Sequence, residues 1–160
     1  MATATTNPKT VANLMSDEEL RAWRGLLCAH ASLAKRLDAE LEQAHGLPLT
    51  SYEVLARLEK ATSGRMRMSD LAEAIQLSRS GLTRLVDRLE RDGLLTRCTC
   101  EADARGAYAC LTDPGRIALG AARETHLAGV REHFLSHFSD DELRMLGELW
   151  ERVRPESGCE

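Results

Sequence analysis

Apolar residues recur every three or four positions along most of this 160-residue chain, a spacing that predicts a mainly helical protein. The first such stretch begins at a capping box formed by Ser16 to Glu19, and Gly46 and Pro48 end it. At about 28 residues, this predicted helix is longer than the average globular helix. Long helices of this kind often pack against another subunit. Its apolar face consists of Leu20, Trp23, Leu27, Ala31, Ala34, Leu37, Leu41 and Ala44.

Shorter segments follow the long helix. A second capping box at Thr50 to Glu53 predicts a helix that ends near Gly64, and residues 65–68 are long enough only for a minimal strand. Ser69 and Ser78 are the predicted caps of two short helices. Together these segments predict two short helices that meet at a tight turn.

An alternating pattern then replaces the helical one. Residues 94–99 and 107–111 alternate like two strands, and residues 100–106 join them, which predicts a β-hairpin. Two short helices followed by a two-stranded hairpin describe a winged helix-turn-helix.

The C-terminal third is predicted to be helical again. Thr112 caps a long helix with Pro114 in its first turn and apolar positions as far as Phe138. A capping box that begins at Ser139 opens a last helix, which Pro155 ends. The predicted fold class is therefore mainly α: a winged helix-turn-helix with a small hairpin wing and long helices that form a dimerisation region.

Three regions follow from this order of elements. Residues 1–15 are predicted to be a flexible tail, and residues 49–111 the winged helix-turn-helix. Residues 16–48 and 112–155 are the predicted helical dimerisation region. A single chain of this length cannot cover both long apolar faces, so a homodimer is expected.

The net charge of −4 does not exclude nucleic acid as a partner. Residues 65–105 carry eight Arg and seven acidic residues, whereas residues 106–160 carry six basic and ten acidic residues. The decisive property is which face carries the arginines.

The sequence lacks the signals that mark several other classes of protein. No signal peptide or uninterrupted apolar membrane span is present, which predicts a cytoplasmic protein without a membrane partner. The five cysteines are an odd number, so a disulfide framework is not expected. No Gly-rich phosphate loop, nucleophile elbow or HExxH motif is found, so we predict no enzyme activity and no cofactor.

The second short helix is the candidate DNA reader. Its apolar side leaves an outward face with base- or phosphate-contacting groups, because Arg can bridge two guanine acceptors in the major groove. A solvated amphipathic surface helix is the alternative. In the hairpin, Asp103 and Arg105 lie at the predicted tip, where an Arg can enter a narrow minor groove. The predicted DNA-contacting residues of the helix are Arg79, Ser80, Thr83, Arg84 and Arg88.

These segments resemble the reading core of MarR regulators. The similarity is strongest in residues 68–75 and 77–95, in Asp103-x-Arg105, and in Leu111-Thr112-x-x-Gly115. The resemblance implies an obligate homodimer that reads a pseudo-palindromic operator on double-stranded DNA. It also implies a small-molecule, metal or oxidant signal that changes the separation of the two reading heads. Ala104 departs from the pattern, since many relatives carry a second basic residue there.

The resemblance further implies an aromatic or phenolic effector bound between the dimer helices and the reading head. Trp23, His30 and Tyr52 are candidates for its walls, with Arg57 as a carboxylate partner. The alternative is that Trp23 and Tyr52 belong to the dimer core. A helical protein-interaction module without DNA binding is a hypothesis from another class.

Three cysteines of the hairpin are candidates for a redox switch. Cys98 and Cys100 are two residues apart on one strand, and Cys110 lies on its partner. A bond between Cys98 and Cys100 would distort the strand, so oxidation is expected to displace the wing and lower DNA affinity. Metal binding by these sulfurs, or by His133 and His137, is a weaker alternative, and we predict no metal site.

Overall fold

The computed structural model describes residues 15–100 and 103–153, and for residues 100 and 103–105 it describes the backbone alone. The chain divides into two compact units, Met1–Lys35 and Arg36–Glu160, with the boundary inside the first helix. In chain order the described elements are α1 (Asp17–His45), α2 (Leu49–Lys60), β1 (Arg65–Arg67), α3 (Met68–Ala74), α4 (Arg79–Arg91), β2 (Leu95–Cys100), β3 (Asp103–Leu111), α5 (Asp113–His133), a 3-10 turn (Leu135–His137) and α6 (Asp140–Glu151).

The first unit holds the beginning of α1. The predicted capping box is confirmed: the Ser16 backbone N–H donates to the Glu19 carboxylate at 2.7 Å, and the Glu19 N–H donates to Ser16 Oγ at 3.2 Å. Beyond this cap the helix exposes large apolar side chains. They are Trp23, Leu26 and Leu27.

The second unit is built on a three-stranded antiparallel sheet of order β1-β3-β2. The predicted hairpin is confirmed, and the short strand β1 adds to its free side, with Met66 opposite Ala109. The face of the hairpin that holds Leu95, Ala109 and Leu111 is buried. The part of α1 that belongs to the second unit and helices α2 to α5 pack with that face into one apolar core. Its fully buried large residues are Leu41, Val54, Leu55, Leu58, Leu71, Leu82, Val86, Leu89, Leu95 and Leu119.

Two predicted helix caps are wrong. Helix α2 begins at Leu49, before the proposed box, and the Leu49 N–H donates to the Asp38 carboxylate of α1 at 2.8 Å. Ser51 is therefore inside the helix and fully buried. Helix α3 begins at Met68 because β1 runs directly into it, and the Ser69 hydroxyl donates to Asp70 at 2.9 Å instead of capping the helix.

The C-terminal helices begin where the sequence predicts. The Thr112 hydroxyl accepts from the Gly115 N–H, and Ser139 and Glu142 form a reciprocal capping box. The prediction of one helix as far as Phe138 is wrong, because α5 ends at His133 and a 3-10 turn follows. This turn brings the rings of Phe134 and Phe138 together, with centroids 5.2 Å apart.

Candidate nucleic-acid interface

Helix α4 is a strongly amphipathic helix held by its apolar side. The Ser78 hydroxyl accepts from the Gly81 N–H at 3.1 Å, which confirms the predicted cap. The turn from α3 passes through Gln76, whose φ of +54° lies in the left-handed region. The buried residues of α4 are Leu82, Leu85, Val86 and Leu89.

The opposite face of α4 is exposed, as the sequence pattern predicts. Two of its polar side chains bond back to the helix: Thr83 Oγ1 donates to the Arg79 carbonyl at 2.8 Å, and Arg84 Nε donates to the Ser80 carbonyl at 3.4 Å. The exposed residues are Arg79, Ser80, Thr83, Arg84, Asp87, Arg88 and Arg91. The face thus presents four guanidinium groups and two hydroxyl groups, which are groups that contact phosphates and base edges.

Arg88 differs from the other arginines of this face because it contacts another helix. Its Nη2 donates to Ser51 Oγ of α2 at 2.8 Å, and Ser51 is fully buried. The hydrogen bond gives the buried hydroxyl a partner and fixes the guanidinium beside α2. Arg88 therefore joins the candidate reading helix to the core.

A cavity of about 420 Å³ lies beside this Arg88–Ser51 contact, between the end of α1, the start of α2, the end of α4 and α5. Its apolar lining includes Leu47, Pro48, Leu89, Leu94, Ala118 and Ala121, and its polar lining consists of Glu42, His45, Ser51, Arg88 and Asp92. A volume of this size suits a small organic molecule.

The strand β2 is joined to α4 by Arg97. Its guanidinium forms ion pairs with Asp87, at 2.5 Å, and with Glu90. The Arg97 backbone N–H also donates to Glu90 at 2.8 Å, and this hydrogen bond is the main cause that lowers the pKa of Glu90 below its usual value. The hydrogen bond to Asp87 is the main cause that raises the Arg97 pKa. The contacts tie the wing to the candidate reading helix.

Arg67 is a basic residue of this surface that the sequence analysis missed. Its guanidinium carbon lies 5.6 Å from the ring centroid of Tyr108, a cation–π contact between β1 and β3. Arg67 and Arg79 line the same cleft, of about 350 Å³, between β1, α4 and β3. The sequence signal was present in the Arg-Met-Arg run at residues 65–67, but only the sheet places that run beside α4.

The wing carries the remaining predicted sites. Asp103 and Arg105 are on β3, but their side chains are outside the described part of the chain, as is that of Cys100. Their predicted roles stay predictions. Cys98 and Cys110 are joined by a disulfide across β2 and β3. The predicted constellation of three hairpin cysteines therefore contains a bonded pair.

The four residues predicted for an effector site are divided between the two units. Trp23 and His30 are exposed on the first part of α1, and Tyr52 and Arg57 are on α2 in the second unit. Tyr52 is buried, and its ring lies 4.5 Å from that of His126 between centroids. Tyr52 packs in the core of the second unit, and none of the four residues lines the cavity beside Arg88. Their effector roles, and the alternative that Trp23 and Tyr52 belong to the dimer core, stay predictions.

Clusters of metal ligands and membrane-spanning helices are both absent from the described residues. Residues 15–100 and 103–153, as far as their side chains are described, hold no group of three or more His, Cys, Asp or Glu suited to a metal ion. No helix within the same ranges is long and apolar enough to cross a membrane.

Comparison with known proteins gives one family. The sequence model of the MarR family matches residues 45–106. The regulator PecS of Dickeya dadantii is 30% identical over 130 residues, which cover 81% of this chain and 78% of PecS. AbsC, a MarR family transcriptional regulator from Streptomyces coelicolor, is 34% identical, with a TM-score of 0.81 over 88% of this chain and 95% of AbsC.

A second solved structure from Streptomyces coelicolor was determined in complex with DNA. This MarR family regulator, Sco3205, is 32% identical, with a TM-score of 0.81, and the match covers 89% of this chain and 95% of Sco3205. The relatives are transcriptional regulators, not enzymes. With its winged fold and its exposed arginine helix, the chain described above belongs to the MarR family and is a DNA-binding transcriptional regulator.

Proposed function

We propose that this regulator is a homodimeric repressor that binds a pseudo-palindromic operator and is released by a small aromatic or phenolic molecule. The observation that carries the proposal is the exposed arginine face of α4 beside the three-stranded wing sheet. In winged helix-turn-helix proteins such a helix enters the major groove. Two copies related by a twofold axis place two such helices about 34–36 Å apart, which is one turn of DNA.

The dimer is supported by α6, which leaves large apolar side chains exposed on the single chain. None of the residues from Asp140 to Glu151 is buried. Met145 is 60% exposed and Trp150 is 42% exposed. Large apolar surface left open on one chain is typical of a subunit interface. A second copy of the chain is the occupant we propose, with α1, α5 and α6 as its contact region.

The effector site we propose is the cavity beside Arg88. Its apolar walls suit an aromatic ring, and Arg88 supplies a donor for an oxygen of the ligand. Because Glu42 and Asp92 also line the cavity, a phenolic hydroxyl that donates to one carboxylate fits better than a second carboxylate. A ligand that engages Arg88 competes with its bond to Ser51 and so acts directly on α4.

DNA binding is tested with duplexes from the region upstream of the regulator's own gene, by fluorescence anisotropy at several salt concentrations. The logarithm of the affinity falls with the logarithm of the salt concentration if arginines release counterions from phosphates. A protein-interaction module without DNA binding would show no such salt-dependent binding.

The reading surface is tested by comparing Arg84→Ala with Arg91→Ala. Arg84 lies in the N-terminal half of α4, the half whose residues reach base edges, whereas Arg91 is the last residue of the helix. We expect Arg84→Ala to cost about 1–3 kcal/mol per half-site and to relax sequence preference. Arg91→Ala should weaken all duplexes alike. Arg105→Ala should weaken binding through the wing with little loss of specificity. Unchanged affinity in both Arg84→Ala and Arg105→Ala would contradict the assignment.

The effector site is tested by screening phenolic compounds for a rise in melting temperature, since a ligand of the folded state raises stability. Ala118→Leu, which adds bulk to the cavity wall, should abolish that rise. Because Ala118 is not on α4, this variant should still bind DNA. A compound that raises the melting temperature of both proteins equally would place the ligand elsewhere.

A further inference from the structure

The two bonded cysteines of the wing are diagonal neighbours on one face of the sheet. In the β2–β3 register Cys98 lies opposite Tyr108, and Cys110 lies opposite Thr96. Directly opposed residues share a face, so Cys98 and Cys110 point to the same side. Their Cα atoms are 6.2 Å apart, within the range that a disulfide spans. The bond therefore joins two strands that are already paired.

This face of the wing is partly accessible, whereas the other face packs on the core. Leu95, Ala109 and Leu111 cover the core, but Cys98 and Cys110 are only half-buried. Strand β1 pairs with the edge of β3 that β2 leaves open, and Arg65 of β1 lies directly opposite Cys110. A cationic neighbour favours the thiolate, which is the nucleophile in thiol oxidation. An oxidant in solution can thus reach a thiol pair with a cation beside it.

We propose that Cys98 and Cys110 form a reversible oxidation site for hydroperoxides, and that their disulfide strengthens the binding of the wing to DNA. The proposal rests on the DNA-binding function proposed above.

The chemistry balances with one hydroperoxide for each disulfide. The Cys110 thiolate attacks the terminal peroxide oxygen, the O–O bond breaks, and an alcohol leaves after taking up a proton. The sulfur is now a sulfenic acid. The Cys98 thiol attacks this sulfur, the S–S bond forms, and water leaves. Two thiols have lost two electrons and two protons, and the hydroperoxide has been reduced to an alcohol and water.

The effect on DNA binding follows from the chain segment that the disulfide closes into a loop. Residues 99–109 lie between the two cysteines, and this segment contains Arg105 at the end of the wing. Closing the segment reduces the number of conformations that it must give up when it binds DNA. A Cys98–Cys100 bond would instead lower DNA affinity, because it would distort one strand of the wing. With Cys98 and Cys110 bonded, β2 and β3 stay paired in regular register from Leu95–Leu111 to Cys98–Tyr108, and the register shifts between Cys98 and Cys100.

Reversibility follows from the compartment in which the protein acts. Where chromosomal DNA is present, cellular reductants keep thiols reduced, and disulfides formed there are usually transient. The reduced wing is therefore the resting state, and the oxidised wing is the signalled state.

The test uses the full-length parent and three variants, Cys98→Ser, Cys110→Ser and the control Cys100→Ser. Each is reduced, treated with cumene hydroperoxide, and then treated with dithiothreitol. Trypsin cleaves after Arg97, Arg105 and Arg116, so Cys98 and Cys100 share one peptide and Cys110 is in the next. In Cys100→Ser only Cys98 remains in the first peptide, and a cross-link between the peptides then identifies the pair. Operator affinity is measured by anisotropy in each state.

We expect the parent and Cys100→Ser to lose two hydrogen atoms, to form the cross-linked peptide, and to bind operator about three- to tenfold more tightly, with dithiothreitol reversing the effects. Cys98→Ser and Cys110→Ser should show neither change. A Cys98–Cys100 bond, no bond, or unchanged or weaker binding after cross-linking would overturn the proposal. If the reduced parent bound no duplex DNA, the proposed function would fail as well, whereas normal binding without a redox effect would refute this inference alone.

Discussion

At the residue scale, Gly115 shows why a small motif at the start of α5 is needed. A Cβ atom at this position would lie 1.9 Å from the backbone carbonyl oxygen of Leu94. The preceding Thr112 brings the two segments together, because its hydroxyl donates to the Gly93 carbonyl at 2.7 Å and accepts from the Gly115 N–H. The Leu-Thr-x-x-Gly motif therefore has a structural role in joining the wing to α5.

Gly115→Ala should lower the free energy of unfolding by about 1–3 kcal/mol, because the added methyl group forces the backbone apart. Gly120→Ala is the matched control on the same helix, where a Cβ would meet no atom within 4 Å. It should raise stability by up to about 1 kcal/mol through helix propensity. Urea unfolding of both variants measures the difference, and equal effects would contradict the proposed close contact.

His126 is a second residue whose environment decides its behaviour. Burial lowers its pKa from the usual 6.5, and its Nδ1 has no hydrogen-bond partner among the described residues. Its ring stacks on Tyr52, and the nearby Arg123 is paired with Glu59 of α2. The folded protein therefore favours the neutral imidazole.

A lowered pKa in the folded state makes stability depend on pH in a definite direction. The contribution of His126 is present above its unfolded pKa, near 6.5, and is lost as the pH falls through its folded pKa. We expect His126→Phe and His126→Gln both to reduce the loss of stability on acidification below this pH. Only the Gln variant should also lose the stacking on Tyr52. Urea unfolding over this pH range checks both effects, and a parental pH dependence in both variants would rule out His126 as its source.

At the scale of elements, Arg97 connects the wing to the reading helix through the two carboxylates of α4. All three side chains are partly exposed, and exposed ion pairs contribute only about 0–1 kcal/mol each to stability. We therefore expect these ion pairs to fix the position of β2 relative to α4 and to contribute little to the stability of the fold.

Arg97→Ala should reduce operator affinity severalfold while it changes the melting temperature little. Arg97→Lys is the control, since it keeps the charge but replaces the planar guanidinium that serves Asp87 and Glu90 together. We expect its operator affinity to lie between those of Arg97→Ala and the parent. Anisotropy measures the operator affinity, and thermal unfolding measures the melting temperature. If Arg97→Ala bound operator as tightly as the parent, the Arg97 ion pairs would not position the wing.

At the scale of the whole molecule, α6 exposes an apolar side that a single chain does not bury. Leu149 of α6 is 41% exposed, and Val153, which lies two residues beyond the end of the helix, is 72% exposed. Burial of such side chains against a second copy is the main source of free energy for the proposed dimer.

Trp150→Asp should shift the protein from dimer to monomer at micromolar concentration, because it places a charge in the apolar contact. Loss of the second half-site should then weaken operator binding strongly, since the second contact is no longer intramolecular. Glu148→Ala on the same helix removes no apolar area and should leave the dimer intact. Light scattering with anisotropy tests both variants, and a monomeric parent would contradict the proposed assembly.

The sequence by itself determined the elements whose signals are local. The caps Ser16, Ser78, Thr112 and Ser139 were all predicted and confirmed, because a cap and its partner lie within three residues of one another. The exposed and buried faces of α4 follow from helical periodicity alone. The fold class and the exposed arginine face of the candidate DNA interface could be predicted for the same reason.

Only the tertiary structure decided the contacts between residues that are distant in the chain. Asp38 supplies the acceptor for the start of α2, which left the buried Ser51 hydroxyl free to accept from Arg88. The register of β2 and β3 brought Cys98 to Cys110, twelve residues away. Residue types at such positions are compatible with several partners. The choice among them is made by packing and strand register, which involve the whole second unit and have no local signature in the sequence.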